Sequence, residues 1–364
     1  MLFQPTCVGS LQLEHRVVLA PMTRLRASVS NVQSDIAVVY YAQRASVPGT
    51  LLISEGVFVV ANAGGYTNVP GLWNDEQIAV WKKVTDAVHA KGCYIFCQFW
   101  ALGRAANPEQ LNNCDPRYDV VSASDIPLTN GPKPRPLRVA EIKEYIEAYS
   151  KAAHDAVHRA GFDGVELHGA NGYLIDQFLQ DVSNNRTDEY GGSIVNRCRF
   201  PLEVIKSIVD AIGENRTGVR LSPWGEFNDM RMADPIPTFK HFVTCLKESY
   251  QEFAYVHLVE PRISGSAERD MMAGESNDFI REVWLPRPLI TAGGYTRELA
   301  LQTAEKTGEL IAFGRYFISN PDLPWRLKHD AALAPYDRDT FYLPESPKGY
   351  IDYPFSEELR SSRI

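Results

Sequence analysis

From end to end the chain alternates between short runs that are apolar at nearly every position and longer stretches in which apolar residues recur at helical spacing. The short runs cover residues 17–19, 51–54, 94–99, 164–167, 218–221, 254–258, 288–291 and 310–313. Continuous apolar runs of this length predict parallel strands buried on both faces. The spacing between them predicts helices over 35–45, 75–90, 140–160, 194–212, 236–250, 277–284, 296–306 and 322–332. Asn74 and Asp75 can cap the second helix, and Gly161 follows Ala160 as a helix-ending glycine would.

Strand followed by helix, repeated eight times, predicts a closed (β/α)8 barrel, here a single domain over residues 1–364. An open doubly wound sheet is the alternative. It usually carries G-x-G-x-x-G after its first strand, and that motif occurs nowhere in this sequence. Ahead of the first strand, Cys7-Val8, Gly9-Ser10 and 11–13 read as a hairpin that plugs the barrel's bottom. Residues 100–139, rich in Pro, Gly and Asn, read as a small capping insertion after strand three. A second long loop, 260–276, follows strand six.

Composition narrows the class of partner. The 364 residues are 45% hydrophobic and 23% charged, with a net charge of −8. That balance offers neither the basic stripe that nucleic acid needs nor a cationic membrane-binding face, which leaves small molecules. Six scattered cysteines form no C-x-x-C pair and predict free thiols in a reducing compartment. Residues 1–6 have no basic or apolar leader character, and the longest apolar run, 50–61, is broken by Glu55. The expectation is a cytoplasmic protein, monomer or homodimer. Ser362-Arg363-Ile364 loosely resembles a peroxisomal address, with Ile in place of Leu.

A barrel places its chemistry where strands run into their following loops. Those positions hold Thr23, Gly56, Gln98, His168 with Asn171, Arg220, Glu260, Gly293-Gly294 and Gly314-Arg315. Glycines at the last two ends let backbone N–H groups approach an anion, and Arg315 adds a bidentate donor, so a phosphate-bearing ligand is expected there. The segment from Glu166 to Leu174 is the most chemical stretch, because His168, Asn171 and Tyr173 crowd into six residues after a buried strand. His168 and Asn171 can both donate to one oxygen, and Tyr173 carries a proton that stays put at neutral pH. Donors aimed at a developing oxyanion contribute roughly 3–4 kcal/mol each.

These residues, with their neighbours, resemble the Old Yellow Enzyme family of flavin mononucleotide (FMN) ene-reductases. The resemblance runs from Leu19-Ala20-Pro21-Met22-Thr23-Arg24 to Tyr350-Ile351-Asp352-Tyr353-Pro354. Between these lie Gln98-Phe99-Trp100, the block from His168 to Tyr173, the run from Asn185 to Ser193, Arg220-Leu221-Ser222-Pro223 and Phe313-Gly314-Arg315-Tyr316-Phe317. Gly103-Arg104-Ala105-Ala106 and Asp322-Leu323-Pro324-Trp325-Arg326 are similar to a fungal branch that includes chanoclavine-I aldehyde reductases. Gly294 departs from the Asn, and Val195 from the Glu, that many relatives carry.

The resemblance implies tight, non-covalent FMN at the barrel mouth, reduced by NADPH in a ping-pong cycle and reoxidised by an α,β-unsaturated carbonyl compound. It implies that Arg220 stands at the flavin N1–C2 edge, Gln98 on the pyrimidine and Thr23 at the C4 carbonyl. Pro21 and Gly56 would line the ring, and Gly293, Gly294, Gly314 and Arg315 would hold the phosphate. Tyr66, Trp100, Phe227 and Tyr342 would wall the substrate cavity. His168 and Asn171 would hold the carbonyl oxygen while Tyr173 protonates Cα.

Three rival readings stay in view: a metalloenzyme, a catalytically silent flavin-binding barrel and a barrel lyase or isomerase acting on a phosphorylated substrate. His154-Asp155-Ala156-Val157-His158 mimics a zinc motif, but its Asp is too short for the usual Glu role, and no metal is expected. The lyase or isomerase would want a strand-end Lys, which is missing, or a Glu base such as Glu55 or Glu260. Within the ene-reductases, a general enone reductase and a dedicated enzyme of fungal specialised metabolism share every residue named.

Overall fold

The computed structural model describes residues 1–265 and 267–361. Ser362-Arg363-Ile364, which loosely resembles a peroxisomal address, and Ser266 of the 260–276 loop lie outside the described residues. The barrel strands are β1 (Val17–Leu19), β2 (Leu51–Phe58), β3 (Tyr94–Trp100), β4 (Gly164–Gly169), β5 (Thr217–Leu221), β6 (Tyr255–Val259), β7 (Leu289–Ala292) and β8 (Leu310–Phe313). Each is parallel to its neighbours, and β8 pairs with β1 to close the ring. Around it stand α1 (Asp35–Arg44), α2 (Asp75–His89), α3 (Val139–His158), α4 (Ile194–Ile212), α5 (Ile236–Ser249), α6 (Asp278–Trp284), α7 (Arg297–Thr307) and α8 (Leu323–His329). The expected (β/α)8 architecture is present.

Because successive residues of a strand face opposite ways, a buried parallel strand feeds two cores. Val17, Leu52, Val165, Val219 and Val256 point outward and pack with helix residues such as Trp81, Tyr149, Phe200 and Trp284. Val18, Ile53, Phe96, Tyr255 and Ile290 point inward and fill the barrel. Val8 and Leu13, from a hairpin that pairs Thr6–Val8 with Leu11–Leu13, join this inner cluster from below. Its turn needs Gly9: φ is +53°, and a Cβ would lie 1.9 Å from the Asn215 carbonyl oxygen.

Several boundaries differ from the periodicity. β2 continues to Phe58 because its pairing with β3 shifts register between Ile53 and Gly56, where the Ser54 hydroxyl accepts the Gln98 N–H at 3.0 Å. α8 stops at His329, after which Asp330 turns left-handed at φ 55°. Short helices at Leu174–Leu179 and Arg315–Ser319 were not signalled by any amphipathic repeat, since each is barely a turn and a half. Residues 100–139 contain a 3-10 turn at Gly103–Ala105, a short α-helix at Pro108–Cys114 and a two-residue pairing of Val121–Ser122 with Arg135–Pro136. This segment buries Leu111 and Val120 behind Trp100 and Tyr173. Among the described residues no helix is long and apolar enough to cross a membrane.

Candidate active site

A cavity of about 630 Å³ opens at the C-terminal ends of the strands. That volume holds a cofactor-sized ligand with room for a second small molecule. Pro21 and Thr23 after β1, Gln98 on β3, His168 on β4 with Asn171 and Tyr173 just after it, and Arg220 on β5 all line it. Gly293 and Gly294 after β7, and Gly314 and Arg315 after β8, line the opposite side of the ring. Tyr66, Trp100, Phe227 and Tyr342 contribute aromatic wall, with Phe227 and Tyr342 exposed at the mouth. Gly56 is the exception and corrects the expectation: it does not line the cavity. A Cβ there would lie 2.6 Å from the Trp100 indole, so the missing side chain makes room for that ring.

Inward parity explains the polar floor. On β3 to β6 the inward positions change from apolar residues at the bottom, such as Phe96 and Tyr255, to Gln98, Glu166, His168, Arg220 and His257 above them. Glu166 and His257 are fully buried, and sequence reasoning gave neither a role. Gln98 Nε2 donates to Glu166 Oε1 at 2.7 Å, and His257 Nδ1 meets Glu166 Oε2 at 2.8 Å. Burial alone would raise the Glu166 pKa, but His257, Arg220 and Gln98 together hold it below the usual carboxylate range. Burial lowers the His257 pKa despite this neighbour. The pair is therefore a carboxylate and a neutral imidazole.

The reacting groups sit just above. Burial, reinforced by the Arg220 charge, holds His168 well below its usual pKa, so its imidazole is neutral. The Ala170 N–H donates to His168 Nδ1 at 3.3 Å, which leaves the proton on Nε2 and makes that nitrogen a donor. Asn171 takes a left-handed φ of 57°. Its N–H donates to Ser222 Oγ at 2.8 Å, and its carbonyl accepts from Asn228 Nδ2 at 2.9 Å. Asn228 also reaches the Tyr173 hydroxyl. Burial pushes the Tyr173 pKa far up, so the phenol keeps its proton at any working pH. Its ring packs edge-on to Trp100 and His168, with centroids 4.8 and 5.1 Å away. Asp176 secures the intervening turn by accepting the Gly172 N–H at 2.9 Å.

Ser222 and Asn228 lie on loops without periodicity, and their only sequence signal is proximity to Arg220 and Phe227. The insertion at 100–139 contributes Trp100 alone to the cavity wall, whereas Tyr336 and Phe341 join Tyr342 from the C-terminal segment. The 260–276 loop supplies Ile263, Gly265 and Glu268. Glu55 and Glu260, the candidate bases of a lyase or isomerase, do not line the cavity. Glu55 accepts from Gln33, and Glu260 is held by Arg281 and Thr291 at 2.5 and 2.6 Å. His154 and His158 lie against each other with centroids 4.9 Å apart, and no group of three metal-ligating side chains exists among the described residues.

The family model for NADH:flavin oxidoreductases / NADH oxidases matches residues 1–334. The chain belongs to this family. It is 50% identical to a chanoclavine-I aldehyde reductase of Penicillium roqueforti, across 99% of this chain and 98% of the relative. It is 49% identical to an NADP-dependent oxidoreductase of Aspergillus flavus, across 98% and 97%. The crystal structure of Old Yellow Enzyme from Pichia sp. AKU4542 superposes with a TM-score of 0.90 at 35% identity, covering 98% of this chain and 94% of that one.

As a member of the Old Yellow Enzyme family, the chain is an FMN-dependent oxidoreductase, and its residues fit that cofactor. Arg220 Nε is buried without a partner, which leaves a cationic donor facing the cavity. Gln98 has its amide nitrogen committed to Glu166, so its carbonyl oxygen is the end left for a ligand N–H. Gly293 and Gly294 have φ of +139° and +60°, conformations that expose bare backbone to an anion. Arg315 stands at the expected phosphate end, but its Nη2 donates to Glu268 at 2.6 Å. Glu268 is 66% exposed, so solvent weakens the pair and a phosphate can displace it.

Proposed function

We propose that this chain reduces the C=C bond of α,β-unsaturated aldehydes and ketones, with His168 and Asn171 as the oxygen-binding pair and Tyr173 as the proton donor. The convergence of these three groups on one cavity edge, with the His168 proton on Nε2, carries the reading. FMN held there would supply the hydride chemistry that links NADPH to the substrate Cβ. His168 Nε2–H and the Asn171 amide donate to the carbonyl oxygen and stabilise the negative charge that gathers there. Because His168 is already neutral, it polarises that oxygen by hydrogen bonding and gives up no proton. The Tyr173 hydroxyl delivers a proton to Cα, and the high pKa of the phenol keeps it loaded. Pro21, Thr23, Gln98, Arg220, Gly293, Gly294, Gly314 and Arg315 hold the cofactor.

A large, flat aldehyde is the substrate class that the walls favour. Tyr66, Trp100, Phe227, Tyr336, Phe341 and Tyr342 present aromatic faces or edges around the mouth. The Penicillium relative is a chanoclavine-I aldehyde reductase, and its aldehyde substrate supports a role in specialised metabolism. The FMN-loaded protein is assayed for NADPH oxidation with cinnamaldehyde, and the product is collected from D2O. A saturated aldehyde with deuterium at Cα is expected. Reduction to the unsaturated alcohol, or no turnover with any enal or enone, would refute the proposal.

A further inference from the structure

Beneath the reacting groups lies a buried carboxylate to which the mechanism gives no task. Glu166 is fully buried on β4, two residues before His168 and on the same inward face. Its oxygens are shared between Gln98 Nε2 at 2.7 Å and His257 Nδ1 at 2.8 Å. His257 Nε2 is buried without a partner. An imidazolium would leave a charged N–H unsatisfied inside the barrel, so His257 stays neutral and donates from Nδ1. The nearest cation on the inward face is then Arg220, which pairs in register with both His168 and His257 and makes no direct ion pair with Glu166. Glu166 and Arg220 nevertheless act on each other, each favouring the other's charged form.

We propose that Glu166 is a positioning residue that sets the reduction potential of bound FMN, as the buried counter-charge to Arg220 and the anchor that fixes which end of the Gln98 amide faces the cofactor. The inference rests on FMN binding at Arg220 and Gln98. Two-electron reduction of FMN would add negative charge to it, and Arg220, whose unpartnered Nε lies at the cavity, would favour the reduced form. A carboxylate beneath it in a medium of low dielectric opposes that preference. His257 holds the second carboxylate oxygen and keeps Glu166 from turning toward Arg220. The potential thus reflects a cation partly offset from below, an effect that the buried, fully hydrogen-bonded carboxylate is built to sustain.

The test is the midpoint potential of the FMN-loaded protein, measured spectrophotometrically against a reference dye for wild type, Glu166→Gln and Glu166→Asp. Glu166→Gln removes the charge at nearly constant shape. It is expected to favour reduced over oxidised FMN at least tenfold more than wild type, an upward shift of about 30 mV or more for a two-electron couple. Glu166→Asp keeps the charge but shortens the reach to Gln98. It is expected to weaken FMN binding while changing the redox preference less than threefold. An unchanged potential in FMN-loaded Glu166→Gln would overturn the proposal. If that variant does not fold or load, Glu166→Asp decides: a tenfold upward change despite the retained charge overturns the proposal, and a preserved potential with weaker FMN supports it. Failure of wild-type protein to bind FMN would instead refute the cofactor assignment, so the two failures are distinguishable.

Discussion

Asp176 lies on the short helix after Tyr173, and its carboxyl is completely buried. One oxygen accepts the Gly172 N–H at 2.9 Å and the other accepts Gln180 Nε2 at 2.8 Å. Burial outweighs these hydrogen bonds and the field of Arg104, and raises its pKa from 3.8 to about 7. Glu55, buried beside Gln33, rises from 4.5 to about 7 for the same reason. A carboxyl raised in the folded state binds its proton more tightly there than in the unfolded chain. It therefore stabilises the fold fully below the unfolded pKa, and this contribution is lost as pH rises through 7. Each pKa unit is worth 1.36 kcal/mol, so the two groups contribute on the order of 3–4 kcal/mol apiece at acid pH. Urea unfolding at saturating FMN should thus show stability falling between pH 5 and 7.5. Asp176→Asn should remove its share of the slope, about 2.5 kcal/mol over that interval, while losing roughly 1 kcal/mol at pH 5 because Gln180 Nε2 then meets another donor. Parallel pH curves for wild type and Asp176→Asn would refute the reasoning.

Four further outcomes follow from the geometry. Gly9→Ala puts a Cβ into the Asn215 carbonyl at positive φ, and a loss on the order of 2–3 kcal/mol is expected in denaturant unfolding, with the FMN spectrum of the folded protein unchanged. Arg315→Ala should weaken FMN binding about ten- to hundredfold by fluorescence titration, the scale of a lost charged hydrogen bond. Glu268→Gln, which removes the acid that occupies Arg315, should tighten FMN binding instead. Para-chlorophenol should bind through His168 and Asn171 and give a long-wavelength charge-transfer band that His168→Ala abolishes; a band of equal intensity in that variant would reassign the donor pair.

Much of the fold was legible because a buried parallel strand announces itself as a run apolar at nearly every position, and most of the runs here carry small or polar residues at or just beyond the rim. The site residues at those ends, such as Gln98, Arg220 and Gly314, stood out for the same reason. Gly56 misled because a strand-end glycine does not say which neighbour needs the space; only the register shift after Ile53 turns it toward Trp100. Glu166 was visible two residues before His168, but its role depends on His257, 91 positions away, through a contact without local signature. Asn228, Tyr336 and Phe341 reach the cavity on irregular segments, where neither periodicity nor spacing marks an inward side chain. The insertion at 100–139 read as a cap from its length and composition, whereas packing places its apolar residues behind Trp100 and Tyr173.

The division of labour in the cavity is tested most directly at Tyr173. Its hydroxyl is required only when Cα is protonated, whereas reduction of FMN by NADPH requires no proton from this residue. Stopped-flow flavin absorbance on Tyr173→Phe separates the two half-reactions. The reductive half-reaction should run close to the wild-type rate, and reoxidation by cyclohexenone should slow by roughly 10²–10⁴-fold, the range for loss of a general acid. Equal slowing of both half-reactions, or an enone rate unchanged from wild type, would contradict the assignment of Tyr173 as the proton donor.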